Sequence, residues 1–339
     1  MNYWNPRTEL MPREELQKWQ LRKLKTMVRW AYKSSTFWRE RLERAGISPD
    51  EVKELKDIEA FPFLTKTEFI DNQSSHPPYG DILSVSADIS IAYHQTSGTS
   101  GRAPLRVVET PRDWQWGANA WACGLYAFGL RTGDIVYLAF GYGVFQGFWG
   151  VHYAVQKVGA TTVAGGAQSS ENRIRQILEL GVTVVVSTPT YAIRLAQVAE
   201  QMGVNLADDS RVRLLIHAGE PGASIAATKS FIEKYWGARA GDFAGMTESA
   251  GIFSFECSQH PNGMHMMEDQ FLIEVIDPET GSPLEYGQRG ELVITSFGKG
   301  SFPLIRYRTG DLVARVPANR CSCGRSFDIF EGGILGRID

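Results

Sequence analysis

The stretch Val182-Thr183-Val184-Val185-Val186-Ser187 decides the fold of this chain, because it is β-branched almost throughout and carries no charge. A continuous run of this kind is typical of a strand that lies inside a parallel sheet. Similar short apolar runs occupy residues 135–140 and 214–216, and helical patterns separate them. Strands that alternate with helices predict an α/β fold with a parallel sheet covered on both faces.

Helices are predicted both around this sheet and ahead of it. Before residue 89, apolar residues recur at three- and four-residue spacing from Leu16 to Ala31, after a helix start at Pro12. This spacing places the apolar side chains on one face of a helix. Further helices are predicted at residues 150–158, 171–180, 191–202 and 224–236.

The helical pattern ends after about residue 265. Strands predicted at 271–276 and 291–296, joined by turn-rich segments, indicate a smaller and mostly β subdomain. We therefore divide the chain into four parts: a helical segment packed on the core (1–88), an α/β core (89–264), a β subdomain (265–335) and a terminal segment (336–339).

The composition of the 339 residues argues against several classes of function. A formal net charge of −3 argues against a nucleic-acid-binding surface and gives no electrostatic attraction to anionic membranes. No stretch approaches the roughly 18 consecutive apolar residues that span a bilayer. The first residues lack the basic-then-apolar pattern of a signal peptide, so we predict a cytoplasmic protein without disulfides.

The segment Thr96-Ser97-Gly98-Thr99-Ser100-Gly101-Arg102 is the strongest single motif. Glycines let backbone N–H groups approach an anion closely, and the hydroxyl groups add donors to phosphate oxygens. The segment lacks the G-x-x-x-x-G-K-[ST] pattern, which argues against a P-loop NTPase. It therefore predicts a phosphate-binding loop of another kind, although a flexible polar turn would also fit these residues.

Other motifs follow this loop in a fixed order. Gly245-Met246-Thr247-Glu248 and Arg306-Tyr307-Arg308-Thr309-Gly310-Asp311-Leu312 each follow a strand-like run, and the chain ends in Gly336-Arg337-Ile338-Asp339. Shorter stretches are Leu64-Thr65-Lys66, Thr188-Pro189-Thr190-Tyr191-Ala192, Ala218-Gly219-Glu220-Pro221 and Gly290-Glu291-Leu292. With these motifs the sequence resembles the adenylate-forming (acyl-CoA synthetase) superfamily. Within it, the chain is most similar to the phenylacetate–CoA ligase family, over essentially its whole length.

The resemblance implies a fold and an activity. The fold would be the multilayered parallel-sheet N-terminal domain of adenylate-forming enzymes, ending at the hinge to a C-terminal lid domain that this chain lacks. The activity would be ATP-dependent conversion of an aromatic carboxylic acid to an acyl-adenylate, followed by thioester formation with coenzyme A. The acid would be similar to phenylacetate, benzoate or anthranilate. Without the C-terminal domain, which supplies a lysine, we expect adenylation to be slow.

Two other functions compete with this one. An enzyme of the superfamily could load the acid onto a carrier protein instead of coenzyme A, and a relative could bind nucleotide without catalysis. Retention of Thr247, Glu248 and Asp311 argues against the non-catalytic relative. No nucleic acid or membrane partner is expected, and a homodimer would be unsurprising.

The resemblance also implies roles for individual residues in an in-line attack on the α-phosphate, which needs positioning and charge neutralisation. The loop Thr96, Ser97, Gly98, Thr99, Ser100 and Gly101 would cradle the leaving phosphates. Thr247 would contact the α-phosphate, and Glu248 would hold Mg²⁺. Asp311 would accept hydrogen bonds from the ribose. The remaining nucleotide contacts would be Gly219, Glu220, Pro221, Ala244, Gly245, Met246 and Arg337, with Asp339 as the hinge.

Two positions depart from the family pattern. The family often has an aromatic residue just before the glycine of Gly-x-Thr-Glu, where this chain has Ala244. Phe243 precedes it, but side chains alternate along a strand, so Phe243 should not replace that ring. Many superfamily members also end the phosphate loop with a lysine, whereas here Arg102 and Arg106 are the nearby cations.

An acid-binding pocket is predicted at Tyr142-Gly143-Val144-Phe145-Gln146-Gly147, just after the run 135–140. Ligands of open α/β sheets bind outside the carboxyl ends of the strands. Tyr142 and Phe145 could enclose a flat ring, with room supplied by Ala218, Gly219 and Gly245. Ordinary core packing is the alternative. Either His217 or Gln146 could contact a polar group on the ring.

Soft metal ligands occur in two pairs, Cys257 with His260 and Cys321 with Cys323. Zn²⁺ is commonly held by thiolates and imidazole in such close pairs, so we predict a structural zinc site in the β subdomain. Close spacing favours His260 as the fourth ligand, whereas the family resemblance favours His265. Three reduced cysteines without metal are the alternative, and Cys123 is predicted to be a core residue.

Overall fold

The N-terminal region is helical, as predicted. The computed structural model describes residues 3–98 and 103–338, and the chain begins with α1 (Pro6–Glu9), α2 (Arg13–Ser34), α3 (Thr36–Arg44) and α4 (Lys66–Ser75). On α2 the predicted apolar face is buried, with Trp19 half-buried at its edge. No helix in these two ranges combines the length and apolar character needed to cross a bilayer.

A pair of short antiparallel strands carries the predicted phosphate loop. Strand β1 (Ala92–Gln95) and strand β2 (Arg106–Glu109) pair so that Gln95 lies opposite Arg106, directly at the two ends of the loop. The pair is separate from the main sheet. Strand β1 therefore leads directly into the loop, and a short 3₁₀ turn (Ala87–Ile89) precedes it.

Five parallel strands form one half of the main sheet. They are β3 (Ile135–Leu138), β4 (Thr161–Ala164), β5 (Val184–Ser187), β6 (Leu214–His217) and β7 (Arg239–Met246), in the spatial order β4-β3-β5-β6-β7. Every neighbouring pair in this order is parallel. The parallel sheet predicted from the β-branched runs is thereby confirmed.

The helices that cover this half-sheet are α5 (Pro111–Phe128), α6 (Gln146–Val158), α7 (Ser170–Glu179), α8 (Pro189–Gln201), α9 (Leu206–Asp209) and α10 (Ala226–Trp236). All four predicted helices are confirmed, with shifted ends. Helix α8 begins at Pro189 because the Thr188 hydroxyl accepts a hydrogen bond from the backbone N–H of Tyr191. Helix α5 was not predicted as an element, although Cys123 was placed in a helical apolar run.

Two apolar cores lie on opposite faces of the parallel strands. Along β5, Val184 and Val186 belong to one core together with residues of α5 and α6. Val185 belongs to the other core, which contains residues of α7, α8 and α10. The alternation of side chains along a strand produces this division, and it confirms a sheet covered on both faces.

An antiparallel half continues the same sheet. Its strands are β8 (Gly251–Glu256), β9 (Gly263–Met266), β10 (Phe271–Ile276), β11 (Arg289–Ser296), β12 (Tyr307–Val316), β13 (Ile329–Glu331) and β14 (Gly336–Arg337). The order runs β10-β11-β12-β13-β9-β8-β7, with β14 paired to β12. The predicted β-rich end is confirmed. The proposed boundary between residues 264 and 265 falls inside β9, and the four-part division stays a prediction.

The close contact between α5 and the sheet gives a test of this packing. A Cβ added at Gly124 would lie 2.8 Å from Phe243 and 2.9 Å from Ile252, whereas one added at Gly147 would meet nothing within 4 Å. We expect Gly124→Ala to destabilise the fold by about 1–3 kcal/mol through overpacking. Gly147→Ala, also in a helix, should cause no loss. Urea unfolding of both variants checks this, and equal stabilities would contradict it.

Candidate active site

The predicted phosphate loop is closed at its base by a pair of hydrogen bonds. The backbone N–H of Thr96 donates to the carbonyl of Leu105 (3.0 Å), and the N–H of Leu105 donates to the Thr96 hydroxyl (3.1 Å). Gly98 has a φ of +74°, which a glycine adopts without strain. The remaining predicted loop residues, Thr99, Ser100, Gly101 and Arg102, lie outside the described residues. The Thr96 hydroxyl therefore serves loop closure.

Thr247 and Glu248 follow directly after β7, where the chain turns into β8. The Glu248 side chain is buried, and its Oε1 accepts a hydrogen bond from the Tyr307 hydroxyl at 2.9 Å. The ammonium of Lys66 lies 3.5 Å from the same oxygen. Within the described ranges, the other oxygen Oε2 receives no hydrogen bond. A carboxylate with one oxygen held in place and one left open suits a hard cation such as Mg²⁺.

A backbone contact brings Lys66 to this carboxylate. The N–H of Leu64 donates to the carbonyl of Arg306 (3.0 Å), and the N–H of Arg308 donates to the carbonyl of Leu64 (2.9 Å). This parallel bridge lays the start of α4 beside Tyr307, the first residue of β12. Two of the motifs recognised in the sequence, which are far apart along the chain, thus meet at Glu248.

Asp311 and Arg337 lie opposite each other in the pairing of β12 with β14. The Nε atom of Arg337 is 3.2 Å from Oδ1 of Asp311, and its Nη2 donates to the carbonyl of Thr309 at 3.3 Å. Burial raises the pKa of Asp311 to about 6; Arg337 opposes this shift and the charge of Glu248 adds to it. The predicted ribose contact Asp311 and the predicted nucleotide contact Arg337 are therefore adjacent, and Asp311 lies close enough to Glu248 to be affected by its charge.

Two other segments predicted to contact the nucleotide follow β6 and end β7. Oε1 of Glu220 accepts a hydrogen bond from the backbone N–H of Thr190 (2.9 Å), which ties this segment to the start of α8. Burial opposes ionisation of Glu220, but hydrogen bonds from Thr190 lower its pKa. Phe243 is buried against Trp121 and Phe128, so it does not take the place of the missing ring at Ala244. Gly219, Pro221, Gly245 and Met246 lie in the same two segments.

Aromatic side chains gather at the carboxyl end of β3. The Tyr142 ring packs against Trp149 with centroids 4.7 Å apart, and the Phe145 ring lies 6.0 Å from Phe148. The Tyr142 hydroxyl is hydrogen-bonded to Nδ1 of His152 (2.8 Å), and burial raises its pKa to about 12. The two rings predicted to enclose the acid thus each have a different aromatic neighbour.

Gln146 and His217, the two candidates for contact with a ring substituent, lie in different places. Gln146 is buried at the start of α6, and its Nε2 donates to the carbonyl of Ala250 (2.9 Å). His217 is fully buried at the end of β6, with Nδ1 3.1 Å from the carbonyl oxygen of Ser187. Burial lowers its pKa to about 4, which keeps it neutral. Strand alternation places His217 on the face of β6 that is covered by α8 and α10, and the choice between the two residues stays a prediction.

A cavity of about 470 Å³ opens at the carboxyl ends of β3 and β5. Phe140, Gly141, Thr188, Thr190, Tyr191 and Arg173 are among the residues that line it. It adjoins the predicted acid loop and the start of α8, which is where ligands of open parallel sheets are expected. The sequence predicted this edge of the sheet but not the cavity.

Three cysteines and one histidine form a compact cluster. One ligand atom from each of Cys257, His265, Cys321 and Cys323 lies within 4.8 Å of all the others. Sγ of Cys257 is 3.5 Å from Sγ of Cys321, and Sγ of Cys323 is 3.3 Å from Nε2 of His265. Nδ1 of His265 lies 3.0 Å from the carbonyl oxygen of Phe327, to which it can donate, leaving Nε2 for a metal. These donors suit tetrahedral Zn²⁺.

The residues of the cluster shift one another's pKa values. A hydrogen bond from Cys257 and the adjacent His265 lower the pKa of Cys323 to about 2, although burial opposes this. The pKa of His265 rises to about 9 against burial, because of Cys321 and Cys323. His260 is not part of the cluster: its Nε2 lies 3.6 Å from a carboxylate oxygen of Glu331. Of the two histidines considered, the structure brings only His265 to the cysteines.

Some residues around the site had no role in the sequence interpretation. Lys66 and Tyr307 lie within recognised motifs, but nothing in the sequence showed that both contact Glu248. The sequence interpretation assigned no role to Lys299. The signal that could have pointed to it is a lysine placed between two glycines, Gly298 and Gly300. Its ammonium donates to the backbone carbonyl of Thr247 at 3.1 Å. Only the tertiary contacts reveal these three residues.

Comparisons with known proteins identify relatives of this chain. Residues 36–299 match the model of the AMP-binding enzyme family. The phenylacetate-coenzyme A ligase of Thermus thermophilus is 34% identical over 99% of this chain, which spans 73% of that protein. The ligase of the same name from Escherichia coli is 32% identical over 90% of this chain and 68% of its own length.

Among solved structures, a 2-hydroxyisobutyryl-CoA ligase in complex with 2-HIB-AMP and CoA superimposes on the whole chain with a TM-score of 0.95. The two sequences are 33% identical, and this chain covers 72% of that one. A benzoate CoA ligase from Burkholderia xenovorans, at 21% identity and a TM-score of 0.52, shares the fold.

Proposed function

The chain belongs to the AMP-binding enzyme family, and within it to the phenylacetate–coenzyme A ligases, and from this premise we propose that it activates an aromatic carboxylic acid. The general activity follows from the family: it joins a carboxylic acid to coenzyme A and converts ATP to AMP and pyrophosphate. The acid would be similar to phenylacetate, benzoate or anthranilate. The first product would be the acyl-adenylate, and the second the thioester.

One observation carries the proposal: the groups that adenylation needs converge on a single place. Glu248 is held there by Tyr307 and Lys66, Thr247 precedes it, and Asp311 is near enough for its pKa to respond to both Glu248 and Lys66. These residues come from the turn after β7, from α4 and from β12. Within the described ranges Oε2 of Glu248 receives no hydrogen bond, which leaves it available to a metal ion.

In the proposed reaction each of these residues has its own role. An oxygen of the substrate carboxylate attacks the α-phosphorus of ATP, and pyrophosphate leaves. Thr247 would orient the α-phosphate, the phosphate loop would hold the leaving phosphates, and Asp311 would fix the ribose. Mg²⁺ held by Glu248 would neutralise phosphate charge. The thiol of coenzyme A, after losing its proton, then attacks the acyl carbon, and AMP leaves.

The ring cluster after β3 supports an aromatic acid. Tyr142, Phe145 and their neighbours Phe148 and Trp149 provide flat apolar surfaces beside the loop that follows β3. A small 2-hydroxy acid is the second candidate, because the 2-hydroxyisobutyryl-CoA ligase shares this fold at 33% identity. Transfer to a carrier protein, a homodimer and a cytoplasmic location stay predictions.

A panel assay with the full-length protein tests the proposal. Protein and Mg·ATP are incubated with phenylacetate, benzoate, anthranilate or 2-hydroxyisobutyrate, and acyl-AMP is measured by mass spectrometry before and after coenzyme A is added. We expect an adenylate with an aryl acid that disappears when coenzyme A is present. Glu248→Gln should lower its formation by about 100-fold, because the metal ligand is lost, whereas exposed Glu279→Gln should not. A product only with 2-hydroxyisobutyrate would reject the aromatic assignment.

The raised pKa of Asp311 predicts a pH-dependent affinity for ATP. Above a pH of about 6 the Asp311 carboxylate is ionised and would accept hydrogen bonds from the ribose hydroxyls. Below this pH the carboxyl group gains a proton, which weakens those hydrogen bonds. Asp311→Asn should raise the KM for ATP about 10-fold at pH 7.5. The KM of Asp311→Asn for ATP divided by that of the wild type should fall toward one at pH 5. Protonation of ATP itself affects both proteins equally, so it does not change this ratio. A ratio that stays constant with pH would contradict this role.

We also propose that the cysteine cluster binds a structural Zn²⁺. The cluster joins the segment after β8, strand β9 and the connection between β12 and β13, so the metal would hold the antiparallel half together. His265→Ala should lose the zinc measured by metal analysis and lower Tm by more than about 5 °C. His260→Ala is the matched control and should retain the zinc. Equal zinc content in the two variants would contradict the assignment.

A further inference from the structure

Lys299 is a fully buried lysine in the loop between β11 and β12. Its Nζ donates to the backbone carbonyl of Thr247 at 3.1 Å and lies 3.6 Å from Oε1 of Glu109, which is also fully buried. Glu109 is the last residue of β2, the strand that leaves the phosphate loop. One ammonium group therefore joins the phosphate-loop strand to the turn that carries Thr247 and Glu248.

The ion pair with Glu109 is a poor source of stability. Burying two charges costs several kcal/mol for each ion unless close contacts and hydrogen bonds compensate for the lost water. At 3.6 Å the pair is not hydrogen-bonded, and both oxygens of Glu109 lack a hydrogen-bond partner among the described residues. Apolar residues of similar size would fill this space at lower cost. Stability alone therefore does not account for Lys299.

The loop that carries Lys299 is fixed from two sides. Oδ1 of Asp113, in the first turn of α5, accepts a hydrogen bond from the N–H of Gly300 at 2.7 Å. The Ser301 hydroxyl donates to the carbonyl of Val108 at 3.0 Å. The position of the ammonium is thus set by α5 and β2, which gives the contact with Thr247 a rigid support.

Carboxylates and a histidine surround the ammonium of Lys299. Glu109, Asp113 and Glu248 provide negative charge around it, and His94 lies close enough for its pKa to be lowered by Lys299 as well as by burial, to about 4. Burial raises the pKa of Glu109 to about 7, although Lys299 opposes this. Burial lowers the pKa of Lys299, whereas Glu109, Asp113 and Glu248 oppose this shift and favour the ammonium form.

The carbonyl that Lys299 holds belongs to the peptide group between Thr247 and Glu248. Because a peptide group is planar, holding its oxygen also restricts the orientation of the Glu248 N–H and of both adjoining Cα atoms. Within the described ranges, the only backbone N–H that donates to this oxygen is that of Ala250, at 3.3 Å. Ala250 itself has a φ of +61°, which is strained for a residue with a side chain. This turn needs an external support.

We propose that Lys299 is a positioning residue for adenylate formation: its ammonium holds the Thr247–Glu248 peptide so that the Thr247 hydroxyl and the Glu248 carboxylate stay aligned on the nucleotide. The inference rests on the proposed roles of Thr247 and Glu248. Lys299 touches neither nucleotide nor acid in this role, and it acts through the backbone. Its removal should therefore reduce the rate of adenylation more than the affinity for the acid.

Three variants of the full-length protein separate positioning from charge balance. Lys299→Met removes the contact with Thr247 and leaves Glu109 alone, whereas Glu109→Gln keeps the contact and removes the opposing charge. The double variant restores charge neutrality without the contact. We expect kcat of acid-dependent adenylation to fall about 100-fold in Lys299→Met and in the double variant, with little change in the KM for the acid. Glu109→Gln should remain close to wild type.

Recovery of wild-type kcat in the double variant would overturn the proposal, because Lys299 would then only balance the charge of Glu109. Thermal unfolding shows whether each variant is folded. If Lys299→Met is not folded, the comparison of the double variant with Glu109→Gln tests the proposal. If the wild-type protein adenylates no acid, the proposed function fails, and Mg·ATP affinity measured by calorimetry replaces kcat. The double variant should then bind about 10-fold more weakly than Glu109→Gln, and equal affinities would reject the role of Lys299.

Discussion

The reversal of the chain between β7 and β8 is the constraint on which the site depends. Strand β7 is parallel to β6 on one side and antiparallel to β8 on the other, so the chain must turn back within four residues. This turn has a positive φ at Ala250 and places Thr247 and Glu248 directly after the carboxyl end of β7. The parallel and antiparallel halves of the sheet join at this point.

Buried charges are arranged around that turn. Glu248 is held by Tyr307 and Lys66, and the Thr247 carbonyl is held by Lys299. Glu248, Tyr307 and Lys299 are buried, so losing their partners would be costly, and their contacts restrict the conformations that the turn can adopt. A site of this kind is pre-organised before the nucleotide binds, which lowers the cost of aligning the reacting groups.

The antiparallel half is held to the rest of the molecule by groups distant in sequence. Arg325 is paired with Glu9 of α1, both buried, while Cys321 and Cys323 meet Cys257 and His265. The connection between β12 and β13 is thereby fixed against the N-terminal helices and against β9. Asp311 lies earlier on β12, so these contacts also support the strand that carries the predicted ribose contact.

The sequence by itself determined the parallel α/β core, the β-rich end of the chain and the chemical class. The β-branched run at 182–187 specified a buried parallel strand, and the ordered motifs specified the adenylate-forming family, because local patterning and short motifs are written along the chain. It did not reveal helix α5 as an element, it left His260 and His265 as alternatives, and it overlooked Lys299. Only the tertiary structure brought His265 to the cysteines and Lys66, Tyr307 and Lys299 to the turn after β7. Contacts between residues far apart in sequence depend on strand order and register, which no local pattern encodes.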